Sequence, residues 1–127
     1  MEEEGLTRQV IGCAMRVHRV LGPGYLEAVY QNALAHELRK SGLPTECERR
    51  IPVRYDGVVV GDYVADIVVD GRVTVENKAV RALTREHEVQ LVNYLTATGI
   101  DIGLLLNFGA PSLQFKRKHR ICRPREG

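Results

Sequence analysis

No apolar run in this sequence approaches the roughly 18 residues that a membrane-spanning helix needs, so no membrane partner is expected. Cysteine is sparse: Cys13, Cys47 and Cys122 are odd in number, widely spaced and without a Cys-x-x-Cys pair. That spacing argues against a zinc knuckle and for small buried or incidental thiols in a reducing compartment. No cysteine sits near a histidine in a recognisable nucleophile motif, which leaves a Cys- or Ser-based hydrolase without support. Charge of one sign is also missing. A net charge of +2 is too small to imply a polyanion partner, so any basic surface must be local. The acidic start MEEEGLTRQV is unlike a secretory signal, and the cytoplasm is the expected location. What remains is ordinary: 44% hydrophobic and 27% charged residues over 127 positions, enough for one core and read as a single domain. No internal repeat, low-complexity run or linker stands out.

The chain is organised around Tyr63 to Val80, YVADIVVDGRVTVENKAV, which reads as a β-hairpin. Two β-branched runs, Val64 to Val69 and Val73 to Val80, flank the turn signal Asp70-Gly71. Asp66 interrupts the first run, and Glu76 and Lys78 the second. Glu76 and Lys78 are two apart and share a strand face. A two-residue turn would pair Asp66 with Val75 and send it to the opposite face. A three-residue loop, Asp70-Gly71-Arg72, pairs Val69 with Val73 and Asp66 with Glu76. The binary pattern favours this odd register. It gathers Ala65, Ile67, Val69, Val73, Val75 and Ala79 on one face and Asp66, Thr74, Glu76 and Lys78 on the other.

Around the hairpin, residues 5 to 21 have Ile11, Ala14, Val17 and Leu21 at helical spacing. Gly22-Pro23-Gly24 ends that helix and starts a second, running to about Ser41 with Leu26, Val29, Ala33, Leu34 and Leu38 inward. Thr45 to Tyr55 is a strand ending at Asp56-Gly57, and Val58 to Val60 leads through Gly61 into the Asp66 strand. Thr84 is a plausible N-cap for a helix from Arg85 to Thr98 closed by Gly99. Ile102 to Phe108 is a continuous apolar run, as in a strand covered on both faces. Leu113 to Cys122 is a polar last strand at an edge. The order is α-α-β-β-β-α-β-β. The Glu76 strand, the helix and the Ile102 strand form a βαβ unit with parallel strands.

Charges on strands flanked by valine are costly unless they pair or hold a metal. Asp66 and Glu76 offer hard oxygen ligands for Mg²⁺ or Mn²⁺, which take carboxylates and keep several waters. An ion there would acidify a bound water and neutralise charge building on a phosphate, with Lys78 orienting the water or stabilising the transition state. A surface hairpin with a same-face Glu/Lys pair is the plainer reading of these three residues alone.

Asp66 followed by Glu76-Asn77-Lys78 resembles the PD-(D/E)xK nuclease core, whose order α-β-β-β-α-β matches this chain after one extra N-terminal helix. Gln90-Leu91-Val92-Asn93-Tyr94 is similar to the Gln-x-x-x-Tyr motif of RecB-like and Cas-associated exonucleases. Gly24-Tyr25-Leu26-Glu27-Ala28-Val29-Tyr30 carries the motif of the small GxxExxY proteins. His18, Leu21 to Gly24, Val75 to Val80 and Leu104 to Gly109 also look like that family. Ala65 stands where the pattern's proline would be. The resemblance spans nearly the whole chain. It implies a restriction-endonuclease-like α/β fold, a three-layer core whose mixed central sheet is flanked by helices.

The resemblance also suggests roles. Glu27 would complete the metal site, although Glu in the first turn of a helix also complements its dipole. His18, on the inward stripe of the first helix, is a secondary metal ligand or a buried hydrogen-bonded histidine. The Asn77 backbone carbonyl could join the ligands. Gln90 and Tyr94 share a helix face with His87 one turn earlier. They would position water, phosphate or a base, or else form a polar face packed on the first helices. Tyr30 is either another substrate contact or packs on the sheet while its hydroxyl fixes a neighbour such as Glu27.

Finally, KRKHRICRPR (Lys116 to Arg125) holds six Lys or Arg in ten residues. Lys116, Lys118 and Arg120 share a face and could track a nucleic-acid backbone, although lysine also protects edge strands. The function expected is metal-dependent phosphodiester hydrolysis of DNA or RNA. The rival is a non-catalytic nucleic-acid-binding or oligomeric scaffold protein of the same fold, and a homo-oligomer fits either.

Overall fold

In the computed structural model, which describes residues 3–122, eight elements follow the order read from the sequence. They are α1 (Glu3–Leu21), α2 (Glu27–Lys40), β1 (Thr45–Tyr55), β2 (Val58–Val69), β3 (Val73–Lys78), α3 (Arg85–Thr98), β4 (Ile102–Asn107) and β5 (Gln114–His119). The strands form one mixed sheet in the order β1-β2-β3-β4-β5. Only β3 and β4 run parallel, because α3 carries the chain from one to the other; the remaining neighbours are antiparallel. This is the restriction-endonuclease-like arrangement.

The sheet divides two apolar layers. On one side Leu6, Val10, Ala14 and Val17 of α1 and Leu34 and Leu38 of α2 pack on Ile67, Val69, Val73, Val75, Leu104 and Leu106. On the other, Leu91 and Leu95 of α3 cover Leu105. The six residues of β4 are therefore buried throughout, as its unbroken apolar run requires. Thr84 and His87 form a reciprocal cap at the start of α3, and Gly99 closes it in a left-handed conformation.

Two expectations for α2 fail. The helix begins at Glu27, not at Pro23, because Gly22 and Gly24 both adopt positive φ and hold residues 22–26 as a loop. Leu26 and Val29, expected inward, are consequently exposed.

The hairpin has the odd register. Val69 faces Val73, Val68 faces Thr74 and Ile67 faces Val75. Arg72 donates its N–H to the Val69 carbonyl across Asp70 and Gly71, both left-handed, and is the extra residue that sets the parity. One member of the expected face is misplaced. Ala65 packs with Tyr63 and Val68 on the α3 side, away from Ile67. The cause lies across the ladder: pairing between β1 and β2 passes from Cys47–Ile67 to Arg49–Ala65, and the skipped Glu48 has φ +53°. The alternation of side chains slips by one at that kink, which falls opposite Asp66.

Beyond Lys78 the chain is held by a clasp. Asn107 accepts from the N–H groups of Val80 and Gly109 and donates to the Val80 carbonyl and to Gln114, all at 2.9–3.0 Å. Gln114 in turn accepts from the Leu83 N–H, and the Phe108 N–H donates to the Lys78 carbonyl. A Cβ on Gly109 would lie 2.5 Å from the Val80 nitrogen, closer than any real contact. Gly109→Ala should therefore destabilise the protein by more than ~2 kcal/mol, by prying Val80 off the clasp. Urea denaturation measures this, and an unchanged midpoint would refute the close approach.

Candidate functional site

The carboxylates of Asp66 and Glu76 meet where β2 and β3 stop pairing. After the Ile67–Val75 pair, the Asn77 N–H donates to Asp66 Oδ2 at 2.8 Å. Glu76 accepts the hydroxyl of Tyr63 at 3.2 Å, and the charges of the two acids act on each other. Each acid is thus fixed by the other's strand. Tyr63 is itself stacked on Tyr94 of α3, with ring centroids 4.4 Å apart and planes 15° from parallel.

Electrostatics sharpen the picture. Burial raises the Glu76 carboxyl to about 7, helped by the negative charge of Asp66 and opposed by Lys78 and the Tyr63 bond. Asp66 is raised too, first by burial, then by Glu27 and Glu48; the Asn77 N–H and Lys78 oppose this. Burial and the Glu76 charge push the Tyr63 phenol upward, so it remains a donor. The charges of Asp66, Glu76, Glu27 and Glu48 therefore bear on this niche, and the ammonium of Lys78 opposes them.

A sequence profile of the PD-(D/E)XK nuclease superfamily matches residues 4–118. The chain belongs to the PD-(D/E)XK nuclease superfamily. No curated protein matches it. Among solved structures it is similar to the crystal structure of SSO0001, with a TM-score of 0.57 and 18% identity over 76% of this chain. That likeness supports the fold alone. The chain spans about half, 50%, of that protein's length.

Asp66 and Glu76 fit a hard divalent ion by their donor set: two carboxylates in a half-buried, net-negative niche, with Lys78 acting on both. Among the described residues no three His, Cys, Asp or Glu side chains stand together as a ready-made metal cluster. Glu27 is exposed at the first turn of α2, close enough to act on Asp66 electrostatically but outside such a cluster.

Other expected site residues are engaged elsewhere. Tyr30, expected also at the substrate, is fully buried: it stacks on Phe108 at 4.8 Å, and its hydroxyl donates to the Gly22 carbonyl at 2.5 Å instead of fixing Glu27. His18 lies inward as expected, and its Nε2 donates to the Ala110 carbonyl at 2.8 Å. That bond gives it the structural alternative. Asn77 contributes its N–H to Asp66, while its buried side-chain amide has no hydrogen-bond partner among the described residues. On α3 it is Tyr94 that reaches the carboxylates, through Tyr63. Gln90 is exposed beside Arg85 and Glu86, and His87 is used in the cap.

Two cations of the basic segment are paired. Lys118 pairs with Glu88 at 3.1 Å and Arg120 with Asp101, so neither is the free phosphate-tracking cation expected of it. Lys116 is exposed on β5, and residues 123–125 of the basic segment lie outside the described residues.

Two residues that the sequence reading passed over belong to the site. Tyr63 was hidden because strict alternation places it on the wrong face. Glu48 was hidden because nothing marks a glutamate for positive φ. Only the unusual density of charge in Glu46 to Arg50 hinted that this strand is irregular.

Glu76 makes stability depend on pH. An unfolded glutamate ionises near 4.5 and the folded one near 7, so between these values the native state binds the extra proton. Stability of the metal-free protein should fall as pH rises through that window. Glu76→Gln should remove the penalty, raising stability at pH 8 by on the order of 2 kcal/mol and changing little at pH 4. Thermal melts in chelator across that range test it; a variant with no advantage at pH 8 contradicts the burial of charge.

Proposed function

We propose that this protein hydrolyses phosphodiester bonds of nucleic acid with the help of Mg²⁺ or Mn²⁺. The observation that carries the reading is the interlocked pair, Asp66 on the Asn77 N–H and Glu76 on the Tyr63 hydroxyl, with Lys78 on the same strand as Glu76. Asp66 and Glu76, with Glu27 and the Asn77 carbonyl nearby, would hold the ion. When bound, such an ion neutralises charge on the phosphate and lowers the pKa of a water. Lys78 would orient the attacking water by donating to it and meet charge developing on the phosphoryl oxygens. Tyr63 holds Glu76 in place, and Tyr94 buttresses Tyr63. Gln90 and Lys116 are the remaining groups that could contact substrate from α3 and β5. The chain is read as one nuclease-like domain of the GxxExxY type, residues 1–127, working in the cytoplasm. A second copy would widen the substrate surface of so small a domain.

Alanine at Asp66, Glu76 or Lys78 should lower Mg²⁺-dependent cleavage by at least about a hundredfold while leaving the melting temperature near or above that of the parent. A panel of single- and double-stranded DNA and RNA, with Mg²⁺ and with Mn²⁺, measures the first part. Cleavage that survives all three changes would sink the assignment. Calorimetric titration with Mn²⁺ distinguishes an enzyme from a binding scaffold: binding heat should vanish in Glu76→Ala and persist in Lys78→Ala.

A further inference from the structure

Resting on the nuclease reading above, we infer that the substrate presents an unpaired base at the site and that this base stacks on Tyr25. The ring of Tyr25 is half exposed, at 49%, and Leu26 beside it is 79% exposed. They immediately precede Glu27, whose charge reaches Asp66. The ring is also fixed. Tyr25 meets Tyr30 edge-on, with centroids 6.0 Å apart and planes at 83°, and its N–H donates to the Tyr30 hydroxyl at 3.1 Å. Tyr30 stacks on Phe108, whose N–H holds the Lys78 carbonyl. Three aromatic rings thus run from the C-terminal end of the Lys78 strand to a half-exposed, pre-oriented aromatic surface.

Two physical arguments assign that face to a nucleobase. Bases in a continuous duplex are already stacked on each other and have no face to offer, whereas an unpaired base gains from a flat aromatic partner whatever its identity. The electrostatic grip is meanwhile weak. The net charge is only +2, and Lys118 and Arg120 are held in ion pairs, which leaves Lys116 and Arg117 as the exposed cations of β5 and keeps the contribution of counterion release modest. A stacking platform beside the carboxylates supplies contact of the kind the surface charge lacks. The substrate class is accordingly single-stranded nucleic acid, or a duplex with a frayed or flapped end.

The test uses the full chain in the Lys78→Ala background, which keeps both carboxylates. The probes are a short single-stranded oligonucleotide containing 2-aminopurine and the same strand annealed to its complement, in Mg²⁺. The chain has no tryptophan, so stacking on tyrosine is read directly as quenching of the probe. Binding should quench the single strand. Tyr25→Ala should weaken its affinity roughly tenfold and abolish quenching, with duplex affinity unchanged. Tyr25→Phe should preserve both signals, and Tyr25→Leu, which keeps apolar bulk over Tyr30, should behave as alanine does. Circular dichroism confirms the fold of each variant. If Tyr25→Ala binds and quenches like its parent, if single strand and duplex lose affinity alike, or if neither binds, the inference is wrong. The nuclease reading is judged separately by Glu76-dependent cleavage in the unmutated chain. Stacking without cleavage upholds the platform and removes only catalysis.

Discussion

A β-ladder must end somewhere, and in this protein it ends on a carboxylate. Once β2 and β3 part after Ile67–Val75, the N–H of Asn77 needs an acceptor other than the antiparallel ladder. It finds one in the Asp66 carboxylate of the opposite strand, while Glu76 reaches across to the Tyr63 hydroxyl of β2. A backbone requirement is thereby converted into side-chain placement: satisfying one amide fixes Asp66, and a phenol on the same strand as Asp66 fixes Glu76. The cost is like charge gathered under partial burial, visible in the upward shift of both carboxyls. The fold tolerates it because the neighbouring strand, β4, is apolar on both faces and anchors β3 from its other side.

The same end of the sheet is braced from three directions. Asn107 and Gly109 clasp the chain just past Lys78, Phe108 and Tyr30 close the side under α1 and α2, and Tyr63 and Tyr94 close the side under α3. None of these residues carries charge. Their contribution is rigidity, since buried, stacked or fully hydrogen-bonded groups have few rotamers to sample and leave the acids and the amine little freedom to drift.

Much of this was legible in the sequence because it follows from period and punctuation. Valines at alternate positions fixed the parity of the Asp70–Arg72 loop, and with it the meeting of Asp66 and Glu76. Thr84 and Gly99 bounded α3, and the unbroken run at 102–107 marked a strand buried on both faces. The misses have a common physical cause: each depends on a partner distant in sequence. The slip at Glu48 moves Ala65 and Tyr63 to the α3 side through cross-strand geometry that no local pattern encodes. Tyr30 packs on Phe108, 78 residues away, and sends its hydroxyl to Gly22 instead of Glu27, while Lys118 and Arg120 pair with acids on and just after α3. A count of basic residues reports charge. Whether that charge is free depends on tertiary structure.

The balance of charge constrains how a polyanion could be received. Asp66 and Glu76 lie in the niche, and the charges of Glu27 and Glu48 add to that of Asp66 while Lys78 opposes both acids, so an approaching phosphodiester meets repulsion as long as the acids are ionised and unmatched. Within the proposed reading, affinity for substrate and competence for chemistry are then not separable properties of this site: the negative potential that selects a hard cation is the same potential that excludes the phosphate in its absence. Contacts made away from the niche must hold the nucleic acid without adding to that conflict. An uncharged aromatic surface beside Glu27 satisfies this condition, because stacking on a ring is indifferent to the field around the carboxylates.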